Sequence, residues 1–158
     1  SCSTWYDRID HGSAFRNVSA PHFGAKGDGR TDDTAAIQRA IDEGRGGAGD
    51  LAKSPAIVYL PPGTYVVTDT LVLWFWTSVI GNSACPPTIL LRPRSPGFTN
   101  SSRGLKPIFA TVPGFNISSA NHAWWSTEDV GANMDFYTSL RNVNIVIGEG
   151  NEAATGAL

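Results

Sequence analysis

The sequence predicts an all-β protein of many short strands headed by a single α-helix, and three observations lead there. Apolar runs of three to six residues recur from Ala56 onward, punctuated by Gly, Pro, Asn and Asp, with no helical pattern between them. One amphipathic helical pattern precedes all of them. The longest apolar stretch, 71–80, is broken by Thr77 and Ser78 and falls short of the roughly 18–20 residues a membrane helix needs. Strand rhythm of this kind fits a sandwich, a barrel or a β-solenoid. A helix ahead of the strands is what a solenoid needs as an end cap, because stacked coils leave an open edge at the first rung.

Trp5, Tyr6, Ile9 and Phe15 lie among polar and small residues, so 1–20 reads as an arm that packs on something larger. The loop His22-Phe23-Gly24-Ala25-Lys26-Gly27-Asp28-Gly29 has the glycines for tight turns. Thr31-Asp32-Asp33-Thr34 supplies a helix start, since short polar side chains cap free N–H groups and carboxylates suit the positive end of the dipole. Ala36, Ile37, Ala40 and Ile41 recur at helical spacing on one face, and Gly44 is the expected stop. After a glycine-rich loop at 44–50 come the predicted strands: Ala56–Leu60, closed by Pro61-Pro62-Gly63, then Thr64–Val67, 71–76, 77–80 and Thr88–Leu91. Leu140, Val143, Ile145 and Ile147 mark one more near the end.

The chain has 158 residues, 12 basic and 14 acidic, long enough for one domain with a real core. Near-neutrality and scattered Lys and Arg remove the electrostatic reason to expect nucleic acid or an anionic membrane as partner. No charged segment followed by an apolar one stands at Ser1, and Ser1-Cys2 opens the chain as a processed secreted protein would. Sequons at Asn17, Asn100 and Asn116, five Trp and 16% charged residues point to an extracellular, glycosylated protein. Cys2 and Cys85 allow one long-range disulfide, two free buried thiols, or pairing with cysteines outside these 158 residues.

The stretch Phe23-Gly24-Ala25-Lys26-Gly27-Asp28-Gly29-Arg30-Thr31-Asp32-Asp33-Thr34-Ala35-Ala36-Ile37-Gln38 resembles the opening motif of the pectate-lyase-like β-helix superfamily. Val58-Tyr59-Leu60-Pro61-Pro62-Gly63-Thr64-Tyr65 resembles that group's first coil. The resemblance implies a right-handed parallel β-helix with an N-terminal capping α-helix. Trp5-Tyr6, Ile9-Asp10-His11-Gly12, Phe15-Arg16-Asn17-Val18, Thr77-Ser78-Val79-Ile80-Gly81-Asn82, Pro87-Thr88-Ile89, Phe136-Tyr137 and Leu140-Arg141-Asn142-Val143 resemble glycoside hydrolase family 55. The likeness is loosest across 93–121, and the loop 44–54 lacks the extra cysteines that family members often carry there.

That family consists of β-1,3-glucanases, mostly exo-acting, with two tandem β-helices flanking the substrate cleft. Residues 21–158 are then expected to hold the cap and first coils of a β-helix domain, incomplete at its C-terminus. The chain is expected to be a fragment, or one of two cleaved pieces that stay together. The resemblance implies inverting hydrolysis, with a general acid in the second β-helix. No catalytic residue carries over onto any position here, so the chain alone is expected to be inactive and to need no cofactor.

Among the acids, Asp28, Asp32 and Asp33 form the densest cluster. An EF-type calcium loop would want an oxygen ligand at position 30 and Gly at 33, where Arg30 and Asp33 stand, so turn and cap chemistry is preferred. Gly24 to Thr31 nearly spells a phosphate-binding loop, but Arg30 replaces its lysine and Pro21-His22 replace the preceding strand. Trp124 and Trp125, with Glu128-Asp129 and Glu149 to Glu152 as acids, are the candidate sugar-binding residues, and a packed aromatic loop is the plainer reading. Trp74-Phe75-Trp76 alternates sides if extended, so at least one ring should lie outside. His11, His22 and His122 are isolated, and no metal site is expected.

The leading expectation is thus a secreted β-1,3-glucan hydrolase to which this chain gives scaffold and cleft wall. Its rivals are a pectate lyase or polygalacturonase on the same fold, and a non-catalytic β-helix that binds glycans or builds a surface layer.

Overall fold

The computed structural model describes residues 1–9, 12, 14–43, 55–74, 76–111 and 137–157. Among the described residues, eleven short strands and one α-helix wind as four successive coils. β1 (Phe15–Asn17) and β2 (Asp28–Asp32), followed by α1 (Thr34–Asp42), make the first. β3 (Ala56–Leu60), β4 (Thr64–Val67) and β5 (Leu71–Leu73) make the second. β6 (Thr77–Gly81), β7 (Thr88–Leu91) and β8 (Lys106–Thr111) make the third, and β9 (Ser139–Arg141), β10 (Asn144–Ile147) and β11 (Ala154–Ala157) the fourth.

Every pairing is parallel, and each coil from the second onward adds one strand to each of three sheets. The sheets run β1-β3-β6-β9, β2-β4-β7-β10 and β5-β8-β11. This is a parallel β-helix. Register brings like residues into stacks along the axis: Val58, Val79 and Leu140 in the first sheet, Tyr65, Ile89 and Ile145 in the second, Leu71 and Phe109 in the third. Side chains alternate across each strand, so these stacks form the core, and each fully buried Val, Leu or Ile contributes about 1.5–3 kcal/mol. Gly81 is required by the coil above it, since a Cβ there would run into the Asn142 carbonyl oxygen and the Pro87 ring.

Among the described residues the first coil has no third strand, and α1 stands in its place. Ala36, Ile37, Ala40 and Ile41 are buried over the end of the core, as their spacing predicts. The edge of β5 is closed by one side chain. Val72 N–H donates to Gln38 Oε1 at 2.9 Å, and Gln38 Nε2 donates back to Val72 O at 3.1 Å. The amide thereby replaces the backbone of a missing strand. At the other end of the helix the buried Arg16 guanidinium donates to Ala40 O and Ile41 O at 2.9 and 3.1 Å, satisfying carbonyls that a helix C-terminus leaves free.

Phe15–Asn17, within the segment assigned to the arm, pairs with β3 and belongs to the first coil. Three residues with one apolar side chain carry no period for sequence reasoning to detect. β2 was legible only as a loop and helix start for a similar reason: it pairs with β4 at Asp28 and Asp32 with a register shift between them. β8 and β11, also absent from the predicted strands, include Lys106, Pro107 and Gly156, which interrupt the apolar pattern. Within the run that begins at Leu71, the strand ends at Leu73.

Ahead of β1 the arm makes one 3-10 turn, Trp5–Arg8, and packs outside the first sheet. Tyr6 stacks on Tyr59 and Phe15, with ring centroids 5.4 and 6.2 Å apart. The Tyr59 hydroxyl donates to Asp7 Oδ1 at 2.7 Å, and Asn82 Nδ2 donates to Cys2 O at 2.7 Å and to the Tyr59 oxygen at 2.9 Å. Cys2 and Cys85 form a disulfide, Cα atoms 5.3 Å apart, that ties the arm to the turn after β6.

Gln38→Leu keeps the helix but leaves the Val72 N–H and C=O facing an apolar side chain. It is expected to cost about 1–3 kcal/mol in urea unfolding and to speed hydrogen exchange at the Val72 amide. Unchanged exchange there would mean that the edge is closed by something else.

Candidate functional site

The acidic cluster of the opening loop is fully engaged in shaping the chain. Asp33 is 1% exposed, and its carboxylate accepts Lys26 N–H at 2.7 Å and Gly27 N–H at 3.0 Å. Asp28 accepts Arg30 N–H, Thr31 N–H and the Thr31 hydroxyl at 2.8–2.9 Å. Those donors pull its carboxyl down to about 2, the Thr31 N–H most of all. Asp32 accepts Thr34 N–H and the Thr34 hydroxyl through Oδ1 and the Thr68 hydroxyl through Oδ2. Burial pushes Asp32 up, but these bonds and Arg92 nearby outweigh it, and its carboxyl sits below the usual range. Asp28 and Asp32, held ionised in this way, suit turns and a helix start, not proton donation to a leaving group.

Beside them lies an open cleft of about 540 Å³ lined by Asp32, Thr34, Ala35, Gln38, Thr68, Asp69 and Thr70, between the start of α1 and the β4–β5 turn. Its acids are already partnered. Asp69 takes Lys106 Nζ at 2.6 Å, and that ammonium also lies 4.4 Å from the Phe98 ring centroid. Arg92 stands 4.0 Å from Asp32. The cleft's other polar groups are committed as well: the Thr34 and Thr68 hydroxyls donate to Asp32, the Thr70 hydroxyl to Pro107 O, and the Gln38 amide pairs with Val72. Among the described residues no group of three His, Cys, Asp or Glu side chains converges to hold a metal ion. No helix among them is long and apolar enough to cross a membrane.

Other candidates are dispersed. Trp74 turns inward against the core and its Nε1–H donates to Asp42 at 2.6 Å, whereas Trp76 lies on the outside. Glu149 and Glu152 are exposed in the turn before β11, and His22 meets Glu43 at 2.6 Å on the surface. Asn100 is exposed, its Oδ1 accepting Ser102 N–H, while Asn17 is half-buried at the end of β1. Trp124, Trp125, Glu128, Asp129, Asn116, His11 and His122 lie outside the described residues.

Residues 15–157 match the family described as rhamnogalacturonase A/epimerase, pectate lyase-like. The chain belongs to that pectate-lyase-like family. A probable glucan endo-1,3-beta-glucosidase of Arthroderma benhamiae is 46% identical to it over 86 residues, 52% of this chain and 10% of that protein. A protein of Penicillium expansum named non-secreted LysM effector LysM15 is 48% identical over 79 residues, 48% of this chain and 6% of its own length. The glucan 1,3-beta-glucosidase of Cochliobolus carbonum is 46% identical over 72 residues, 43% and 9%. The chain thus spans a tenth or less of these relatives. Among solved structures, ORF18 of Geobacillus virus E2 superposes with a TM-score of 0.57 at 25% identity, over 92% of this chain and 23% of that one.

A carboxyl whose folded pKa lies near 2, below its usual 3.8, adds stability above the higher value and loses it as pH falls through the lower. Asp28→Asn is therefore expected to flatten the fall in melting temperature between about pH 4 and pH 2 in calorimetry. An unchanged slope would show that the ionised form of Asp28 contributes nothing.

Proposed function

We propose that this chain is part of a secreted β-1,3-glucan hydrolase, to which it contributes scaffold and a wall of the cleft. The observation that carries this reading is identity near one half, over 72 and 86 residues, to two proteins named as 1,3-beta-glucosidases of glucan. The solenoid supports it physically. Strands β9, β10 and β11 are the outermost of their sheets, and Leu140, Val143 and Ile145 are only partly buried there, with Val146 and Ile147 exposed. Further coils stacked on these edges would bury that apolar surface and pair the open strands. The inverting general acid belongs to those further parts, consistent with carboxylates here that are tied up in turns.

The experiment is to incubate the full-length protein with laminarin and follow the released sugar by NMR. Glucose appearing first as the α-anomer is the expected result, and residues 1–158 alone should release none. Unsaturated uronate products from pectin would instead assign a lyase, and no product from either would leave a glycan-binding β-helix.

Secretion is supported by the Cys2–Cys85 disulfide, which oxidising compartments favour, and by the exposed Asn100 sequon. Peptide mapping of the natural protein should recover Cys2 and Cys85 as one linked species with a glycan on Asn100. Two free thiols and a bare Asn100 would place the protein inside the cell instead.

A further inference from the structure

Trp76 and Tyr137 occupy the same station on successive coils. Ser78 is in register with Ser139, so the residues two positions earlier in each strand's approach are aligned along the stack. Both adopt left-handed backbone, φ 57° and 65°. For bulky side chains that conformation is strained, and such strain concentrates at functional positions. Two aromatic residues hold it at one station, and neither belongs to the core. Their rings touch, centroids 6.0 Å apart with planes inclined by 58°, while Trp76 is 37% and Tyr137 74% exposed. Trp5, the other strongly exposed large aromatic among the described residues, stacks on Tyr6 in the arm.

We propose that Trp76 and Tyr137 form a two-ring platform for a glycan chain running along the helix axis, one sugar on each coil. A pyranose ring presents C–H groups on its faces and hydroxyls at its rim, so it rests on an aromatic face while its rim stays hydrogen-bonded. Coils stacked about 4.8 Å apart repeat on nearly the length of one sugar unit. The inclination between the rings suits a chain that turns from unit to unit, as a β-1,3-linked glucan does, and not a flat ribbon. The paired hydroxyls of Ser78 and Ser139, 3.0 Å apart on the outer side of the same sheet, offer polar partners beside the rings. The choice of β-1,3-glucan rests on the hydrolase reading above, whereas the platform does not.

The test is affinity electrophoresis of the full-length protein in gels containing laminarin. The double variant Trp76→Asn, Tyr137→Asn is used because Asn tolerates left-handed backbone and so spares the fold, which a thermal melt checks. Laminarin affinity should fall roughly tenfold in the double variant and stay near wild type in Trp76→Phe. A folded double variant retarded as strongly as wild type overturns the platform. If wild type ignores laminarin but another polysaccharide retards it through these two rings, the platform stands and the glucan reading falls. Retardation of wild type by no polysaccharide overturns both, and the pair is then a protein-docking surface.

Discussion

The constraint on which the rest of the structure depends is the open edge of the first rung. A parallel β-helix satisfies its backbone only by stacking one coil on the next, so the first coil must end the series without exposing a row of N–H and C=O groups to another chain. Here α1 closes it, and the closure is chemical as well as steric. Gln38 offers Val72 an acceptor and a donor in the spacing of a peptide unit, while Ile37 and Ile41 seal the core beneath. Arg16 reaches from β1 to the last carbonyls of the helix, so the cap is held at both its middle and its end.

Holding α1 in that position explains much of the surrounding loop. Asp33 gathers the N–H groups of Lys26 and Gly27, and Asp32 links the start of the helix to Thr68 in the next coil. These acids, the most conspicuous charged cluster in the sequence, are thereby committed to architecture. The arm plays the corresponding part on the outer face. Tyr59 would point into solvent from β3, but Tyr6, Asp7 and Asn82 enclose its ring and hydroxyl, and the disulfide fastens the whole assembly. A β-helix domain of this kind is a rigid surface on which a site is built, and the site itself is a matter of what decorates the coils.

Legibility followed periodicity. The face of α1 and the strands from Ala56 to Leu91 were readable because burial on one side imposes a repeat of 3.6 or 2. The three-residue β1 and the Gly- and Asp-containing β2 were not, because too few side chains face the core to repeat anything. β8, with Lys106 and Pro107 at its start, hides in the same way, since its lysine is buried by pairing with Asp69 and lying over the Phe98 ring. For the site, attention fell on Trp124 and Trp125 because they are adjacent in sequence. The two rings that the fold aligns, Trp76 and Tyr137, are separated by a full coil of sequence and share no local signal.

The sequence by itself determined an all-β chain headed by one helix, the buried face of that helix, and the turn role of Asp28 and Asp32. Each of these rests on short-range chemistry: alternation, helical spacing, or a side chain bonding to its own backbone two or three residues away. Only the tertiary structure decided that Cys2 pairs with Cys85, that Gln38 completes the edge of β5, and that Trp76 stands above Tyr137. Those contacts join residues 34 to 83 positions apart, and they depend on inter-coil register. Register is set by how many residues each connecting loop spends before the chain rejoins the stack, and loop length carries no periodic trace in the sequence.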